Sequence, residues 1–182
     1  MIRHSPPGAH GFSLIEVLVA MIILLFGLLG VVGLQATSIK VTSSSSYRSV
    51  AASQAASIAD RIRANLQGFD NGDYFGIWGT PGSLPANQNC YQVYLGGTQT
   101  PAACDTVKLA LDDAFIWQSE NARYLPSGFG VVCRDNSPDD GTPAAPACTA
   151  GASDSRVVIK IWWNDSRAGG AAEERFVTVF QP

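Results

Sequence analysis

The chain has very little histidine and little of the chemistry that catalytic sites need. Its 182 residues include two histidines, His4 and His10, and both precede a long hydrophobic run. If the residues ahead of that run are removed as a leader, the remaining chain contains no histidine. This excludes Ser–His and Cys–His nucleophile pairs and the usual zinc ligand sets. No paired-carboxylate signature replaces them, so we expect neither an enzyme nor a bound cofactor.

Charged residues are also scarce. They make up 15% of the chain, the net charge is −3, and there is no block of basic residues. Nucleic acid is therefore not an expected partner, because binding its phosphates requires clustered Lys and Arg. No charged residue lies from Val17 to Ile39, and residues 17–34 are all apolar or glycine. A helix over residues 12–34 would extend about 34 Å, enough to cross a bilayer core of about 30 Å.

The four cysteines all follow the hydrophobic run, at Cys90, Cys104, Cys133 and Cys148. None belongs to a C-x-x-C pair, which argues against a zinc or redox motif. An even number beyond a membrane segment predicts disulfides in an oxidising compartment. Three connectivities are possible, and four free thiols are the alternative. We favour the local pairing of the first two and the last two, which closes two loops of similar size. Each disulfide would stabilise the head by about 3 kcal/mol.

Composition divides the chain into four segments. Residues 1–11 are short, polar and rich in Pro and Gly, as expected of a leader. Residues 12–34 form the hydrophobic half of a helix, and residues 35–67 form an amphipathic half. Residues 68–182 form a globular head.

The amphipathic half continues the helix because apolar spacing resumes after a serine-rich stretch. Residues at four-residue intervals share one side, with small alanines beside them: Val50, Gln54, Ile58, Ile62 and Leu66, and Ala51, Ala55 and Ala59. There is no proline from Phe12 to Leu66. We therefore predict one long helix, with Gly68 as its C-cap.

The head reads as a mixture of helix and strands. The predicted elements are a strand at 91–95, a helix at 105–120, a turn at 125–128, a strand at 129–133, a loop at 135–147 and two strands at 156–163 and 175–180. The last two strands are rich in β-branched and aromatic residues and are predicted to form an antiparallel hairpin. The fold class is thus α+β, with a long N-terminal helix packed on an antiparallel sheet.

The most specific motif lies where the leader meets the hydrophobic run. The residues Gly11-Phe12-Ser13-Leu14-Ile15-Glu16 resemble the leader junction of the type IV pilin superfamily. That resemblance implies cleavage after Gly11 by a prepilin peptidase and N-methylation of Phe12. It also implies that Glu16 meets the N-terminal amine of a neighbouring subunit during assembly.

Four other interpretations of this region compete with the leader junction. Ser13-x-x-Glu16 also fits a capping box at a helix N-terminus. A plain signal anchor leaves Gly11 and Glu16 unexplained. A secretory signal would need small residues before its cut, and a lipoprotein would need a cysteine directly after the apolar run; neither is present.

More of the chain resembles the PilV family of minor pilins. The resemblance rests on ASIADRIRAN at 56–65, on Trp117 leading into Leu125-Pro126-Ser127-Gly128, and on RVVIKIWWND at 156–165. It implies a subunit that primes pilus assembly or forms the tip complex, in support of adhesion and twitching motility. Its partners would be the peptidase and methyltransferase, other minor pilins and a tip adhesin. It would reside in the bacterial inner membrane, with its head in the periplasm, and then in the pilus.

Two alternatives remain. The pseudopilin GspI of type II secretion resembles PilV, but GspI-like chains are generally shorter, and the extended region 67–103 favours the pilus.

A signal-anchored periplasmic enzyme or binding protein would need reactive groups in the head. The acidic pairs there are Asp112-Asp113, Asp139-Asp140 and Glu173-Glu174. The pair at 139–140 could bind calcium, but no D-x-D-x-D-G spacing supports this, so we interpret all three pairs as solvated turn residues. Core and sheet packing explains Trp117, Trp162 and Trp163 better than ligand binding does.

Overall fold

The computed structural model describes residues 11, 13–78, 82–90, 104–149, 156–165 and 173–182. Its elements in chain order are α1 (Leu14–Ala64), α2 (Leu66–Asn71), α3 (Thr106–Tyr124), β1 (Phe129–Asp135), β2 (Arg156–Asn164) and β3 (Glu173–Phe180). A long N-terminal apolar helix thus precedes a small antiparallel three-stranded sheet, which confirms the predicted α+β, pilin-like arrangement. Residues 1–10 of the predicted leader and the strand predicted at 91–95 lie outside the described residues.

The chain divides into two units, residues 1–42 and 43–182. In the first unit, α1 contains an 18-residue window with a mean hydropathy of 3.0, and none of that window is buried inside the chain. Its apolar side chains are exposed, from Leu14 to Val41. Such a helix is long and apolar enough to cross a bilayer.

In the second unit, the rest of α1 covers the core of the head. The buried positions are Ala51, Gln54, Ala55, Ile58, Ala59 and Ile62, which is the stripe that helical spacing predicts. Leu66 is an exception, with 49% of its surface exposed. Arg61 and Arg63 lie in the last turn, where their charge complements the helix dipole.

The end of α1 differs from the prediction. The helix stops at Ala64, and Asn65 starts the short helix α2 by accepting a hydrogen bond from the Gly68 amide at 3.2 Å. Gly68 is therefore a buried helical residue, and its prediction as the C-cap is wrong. The cap is Gly72, whose φ of 85° lies in the left-handed region that favours glycine.

The helix α3 confirms the predicted helix and extends four residues beyond it. Asp105 caps its N-terminus by accepting a hydrogen bond from the Lys108 amide at 2.8 Å. The interpretation of Asp112 and Asp113 as solvated turn residues is wrong, since both are buried in α3. Asp112 accepts hydrogen bonds from the amides of Gln88 and Cys90, so it anchors the preceding segment to the helix.

Asp113 has a different set of partners. Its carboxylate accepts a hydrogen bond from the Tyr74 hydroxyl at 2.5 Å and lies 3.5 Å from the Arg61 guanidinium. The two aspartates are buried because each carboxylate has donors on a different neighbouring segment, which sequence spacing does not reveal.

The sheet has the order β1-β2-β3, with both pairs antiparallel. Val131 pairs with Lys160, and Lys160 pairs with Val177. This confirms the predicted hairpin of the last two strands.

Side chains cover the outer edge of β1. The Gly130 amide donates to Gln118 Oε1 at 3.1 Å, and Gln118 Nε2 donates back to the Gly130 carbonyl at 2.6 Å. Trp78 Nε1 donates to the Val132 carbonyl at 2.9 Å. These bonds satisfy backbone groups that an open sheet edge would leave unpaired.

Tryptophan dominates the core of the head. Trp117, Trp162 and Trp163 are all at most 1% exposed, which confirms their interpretation as packing residues. Trp78 was not predicted to be a core residue, yet it is equally buried and meets Trp117 edge to face, with ring centroids 5.0 Å apart. Such edge-to-face pairs are a favoured aromatic arrangement.

Candidate functional site

The N-terminal segment around the predicted cleavage position lies just ahead of a helix. Gly11 and Ser13 are exposed and have no regular secondary structure. The Ser13 carbonyl accepts hydrogen bonds from the amides of Glu16 at 3.0 Å and Val17 at 3.4 Å, and these bonds start α1. Phe12, the predicted new N-terminal residue, lies outside the described residues. The flanking residues thus provide non-helical backbone that a peptidase can reach.

Glu16 lies in the first turn of α1, with its side chain exposed. A carboxylate there is favoured by the positive end of the helix dipole. Within the described part of the chain, no side-chain hydrogen bond joins Glu16 to Ser13, so the capping box is not formed there. The surroundings of Glu16 are apolar and exposed: Leu14 is 79% and Ile15 is 69% exposed.

This arrangement determines what the segment can do chemically. A carboxylate at the end of an uncharged helix costs about 2.5–3.5 kcal/mol when it is placed at the centre of a bilayer. An amine from another molecule would remove much of that cost, because opposite charges attract strongly where water is excluded. The segment is therefore suited to binding a cation within an apolar environment.

Comparison with known proteins identifies this same segment. Residues 7–32 match the family model described as the prokaryotic N-terminal methylation motif. The motif is typical of type IV pilins and pseudopilins. It indicates a type IV pilin or pseudopilin-like protein, and that family is structural rather than enzymatic. No curated protein and no solved structure matches the chain.

The motif and the apolar helix are consistent with the same cellular location. The pilin-type motif implies processing by prepilin peptidase and assembly with other pilins. The apolar helix fits membrane anchoring, consistent with an inner-membrane precursor that later enters a pilus.

The pilin-like head carries two disulfides. Cys90 is bonded to Cys104, and Cys133 is bonded to Cys148, with Cα–Cα distances of 5.8 and 5.9 Å. This is the local pairing that the sequence favoured. Each bond closes a loop of similar length, with sequence separations of 14 and 15 residues.

Sequence reasoning missed a buried charge cluster under the second disulfide loop. Four oxygens surround Lys160 Nζ: Asp135 Oδ2 at 2.5 Å, Asp140 Oδ1 at 3.1 Å, the Asp140 carbonyl at 3.1 Å and the Pro146 carbonyl at 3.0 Å. The side chains of Lys160 and Asp135 are both 0% exposed. One sequence signal could have revealed the cluster, because Lys160 is the only charged residue within the apolar run from Val157 to Trp163.

The cluster alters the titration of its two carboxyl groups. Burial is the strongest influence on Asp135 and by itself would raise its pKa. Hydrogen bonds from Lys160, Ser137 and Thr149, with the charge of Lys160, outweigh burial and lower the pKa. The pKa of Asp140 is lowered first by a hydrogen bond from Ser137 and then by one from Lys160.

These contacts revise the interpretation of the other acidic pairs. Asp140 is half-exposed, but its carboxylate is paired with the ammonium of Lys160 and is not merely solvated. Glu174 is also paired, with Arg48 at 2.6 Å. Among the described residues, no group of three or more His, Cys, Asp or Glu side chains could hold a metal ion.

Proposed function

We propose that this protein is a minor pilin of the PilV type, which primes assembly of a type IV pilus or contributes to its tip complex. The observation that carries the proposal is the methylation motif at residues 7–32, joined to an exposed apolar helix and a disulfide-bonded α+β head. In this proposal the other minor pilins, and a tip adhesin, are its partners. It acts in adhesion and twitching motility without any catalytic residue of its own.

The roles of the N-terminal residues follow from this proposal. Prepilin peptidase cuts between Gly11 and Phe12, and the new amino group of Phe12 is methylated. Glu16 then pairs with the terminal amine of a neighbouring subunit. The exposure of Glu16 at the start of α1 supports this role, since an exposed carboxylate is accessible to another subunit.

The first test is mass spectrometry of the N-terminus. The full chain is produced with and without an active prepilin peptidase. We expect a mature chain that begins at N-methylated Phe12 only when the peptidase is present. Gly11→Val should block cleavage, because a β-branched side chain replaces the glycine at the cut, whereas Gly8→Val should not. A wild-type chain that keeps residues 1–11 beside an active peptidase would refute the processing step and favour a plain signal anchor.

The second test separates the pilus from type II secretion, whose pseudopilin GspI is the main alternative. The coding sequence is deleted from a strain that has both systems, and surface pili, twitching and export of secreted enzymes are measured. We expect loss of pili and twitching with export unchanged. Loss of export with normal pili would assign the chain to the secretion system instead.

A further inference from the structure

The loop closed by the second disulfide is held together at its base by more than the disulfide. Lys160 Nζ binds Asp135, two residues after Cys133, and the carbonyl of Pro146, two residues before Cys148. One ammonium group therefore joins the two ends of the loop from the strand beneath them.

Asp135 contributes a second connection between the same two ends. Its Oδ1 atom accepts hydrogen bonds from the Ser137 amide at 3.0 Å and from the Thr149 hydroxyl at 3.0 Å. Thr149 directly follows Cys148 in the chain. The disulfide, the aspartate and the lysine thus form three connections between the two ends of one loop.

Further along the loop, two cations from the sheet hold its backbone down. Lys160 also binds the carbonyl and carboxylate of Asp140. Arg175 of β3 donates to the carbonyl of Gly141 at 3.1 Å and to that of Asp139. The loop is therefore attached to the sheet as well as closed upon itself.

Two constraints that close the same loop strengthen each other. A disulfide forms more completely when its two thiols are already held near one another, because less chain entropy is then lost. This coupling is reciprocal. If a contact such as that of Lys160 makes the disulfide more stable by some factor, the disulfide makes that contact more stable by the same factor. The disulfide between Cys90 and Cys104 has no contact with Lys160 among the described residues, so it lacks this support.

We propose that Lys160 is a positioning residue for the disulfide between Cys133 and Cys148. Its ammonium holds the two ends of the loop together, directs these two cysteines to each other among the three possible pairings, and protects this bond selectively against reduction. The second disulfide loop thereby stays closed on the sheet when thiols are exchanging.

The test measures the stability of each disulfide within one molecule. The full chain in detergent micelles is equilibrated with graded ratios of reduced to oxidised dithiothreitol. Each bond broken consumes one reduced dithiothreitol, which becomes its cyclic disulfide, and releases two protein thiols. Free thiols are then alkylated, and peptide mass spectrometry gives the fraction of each bond that remains.

We expect Lys160→Met to lower the equilibrium constant of the Cys133–Cys148 bond by about 5- to 150-fold, the usual range of coupling between two sites. The Cys90–Cys104 bond should remain within a factor of about two. Lys40→Met, which removes the same charge from an exposed position of α1, should change neither bond. An unchanged Cys133–Cys148 bond in Lys160→Met would overturn the proposal.

A second variant covers the case in which Lys160→Met destabilises the whole head and weakens both bonds. Asp140→Asn removes the negative charge from one partner of Lys160 at a half-exposed position, and so it should leave the core intact. It should weaken the Cys133–Cys148 bond selectively, by a smaller factor than Lys160→Met. If Asp140→Asn weakens both bonds equally, or neither, the proposed role of Lys160 is wrong.

Discussion

Glu16 is the last charged residue before an uncharged stretch that runs from Val17 to Ile39. The function of Glu16 therefore depends on the groups that it contacts outside its own helix. In the proposed fibre it meets an amine, and the pair holds two subunits in one register because a shift by a helical turn would separate the charges.

We expect Glu16→Ala to leave leader cleavage largely intact and to reduce recovery of the protein in sheared fibres by about tenfold or more, the equivalent of losing about 1.4 kcal/mol of docking energy. Glu16→Gln should behave in the same way if charge rather than size is required. Glu173→Ala, at an exposed position of β3, is the control. Equal recovery of Glu16→Ala and wild type would contradict the docking role.

Asp112 has a structural role that its position in the sequence does not suggest. Its buried carboxylate accepts two backbone hydrogen bonds, from Gln88 and Cys90. Asp112→Ala would leave both amides without an acceptor, and each unsatisfied buried group costs about 1–3 kcal/mol. We therefore expect the free energy of unfolding to fall by about 2–6 kcal/mol, measured by urea denaturation. Asp139→Ala, with an exposed side chain, should change it by less than about 0.5 kcal/mol.

Among the secondary-structure elements, β1 depends on a close contact with α3. Gly130 lies against the indole of Trp117, and a Cβ atom added there would come within 2.2 Å of that ring. The same strand pairs on its other side with β2, so it cannot move away without breaking the sheet. This contact requires a residue without a side chain even though the strand pattern alone would accept valine.

Gly130→Ala should therefore destabilise the head by about 1–3 kcal/mol, as overpacking of a core usually does. Thermal unfolding followed by tryptophan fluorescence would report the change, since Trp117 is the residue displaced. Val179→Ala, on the exposed part of β3, should have little effect. A melting temperature unchanged by Gly130→Ala would show that α3 and β1 are packed less closely than the structure indicates.

The helix α1 combines two kinds of surface in one continuous element. Its first part is apolar and exposed on all sides, and its later part is apolar on one buried stripe. The absence of proline allows the backbone to continue between them. The same element is therefore suited to a lipid or fibre environment at one end and to a protein core at the other.

For the head as a whole, the charge cluster under the second disulfide loop predicts sensitivity to acid. The pKa values of Asp135 and Asp140 are lowered in the folded state. Their stabilisation is therefore present above the unfolded value of about 3.9 and is lost as the pH falls through the folded values below it. The cations that face the cluster are Lys160, which binds both aspartates, and Arg175, which binds the backbone of the same loop.

We expect the melting temperature of the head to fall steadily below about pH 4. In Lys160→Met, Asp135 keeps its burial but loses its cation, so its pKa should rise and the acid transition should move to higher pH. Scanning calorimetry of both proteins across the acid range would measure this. Superimposable pH profiles would show that the cluster does not control the acid response.

The sequence by itself determined the N-terminal motif, the α+β fold class and the main elements. The motif can be recognised without a structure because it depends only on the spacing of Gly11, Glu16 and the hydrophobic run along the chain. Other features also depend only on residues that are close in the sequence. They are the long helix, the spacing of the cysteines as two local pairs, and the strands at 129–133, 156–163 and 175–180. The predicted processing and assembly roles of Gly11, Phe12 and Glu16 remain predictions for the experiments above.

Only the tertiary structure decided where the buried charges are and what they hold. Sequence patterns placed Asp112 among solvated turn residues and gave Lys160 no role, because burial of a charge is favourable only when specific donors or acceptors converge on it. Those partners come from distant segments: the amides of Gln88 and Cys90 for Asp112, and the loop from Asp135 to Pro146 for Lys160. Sequence spacing cannot report such convergence, since it exists only after the sheet, the helices and the disulfide loop have packed together.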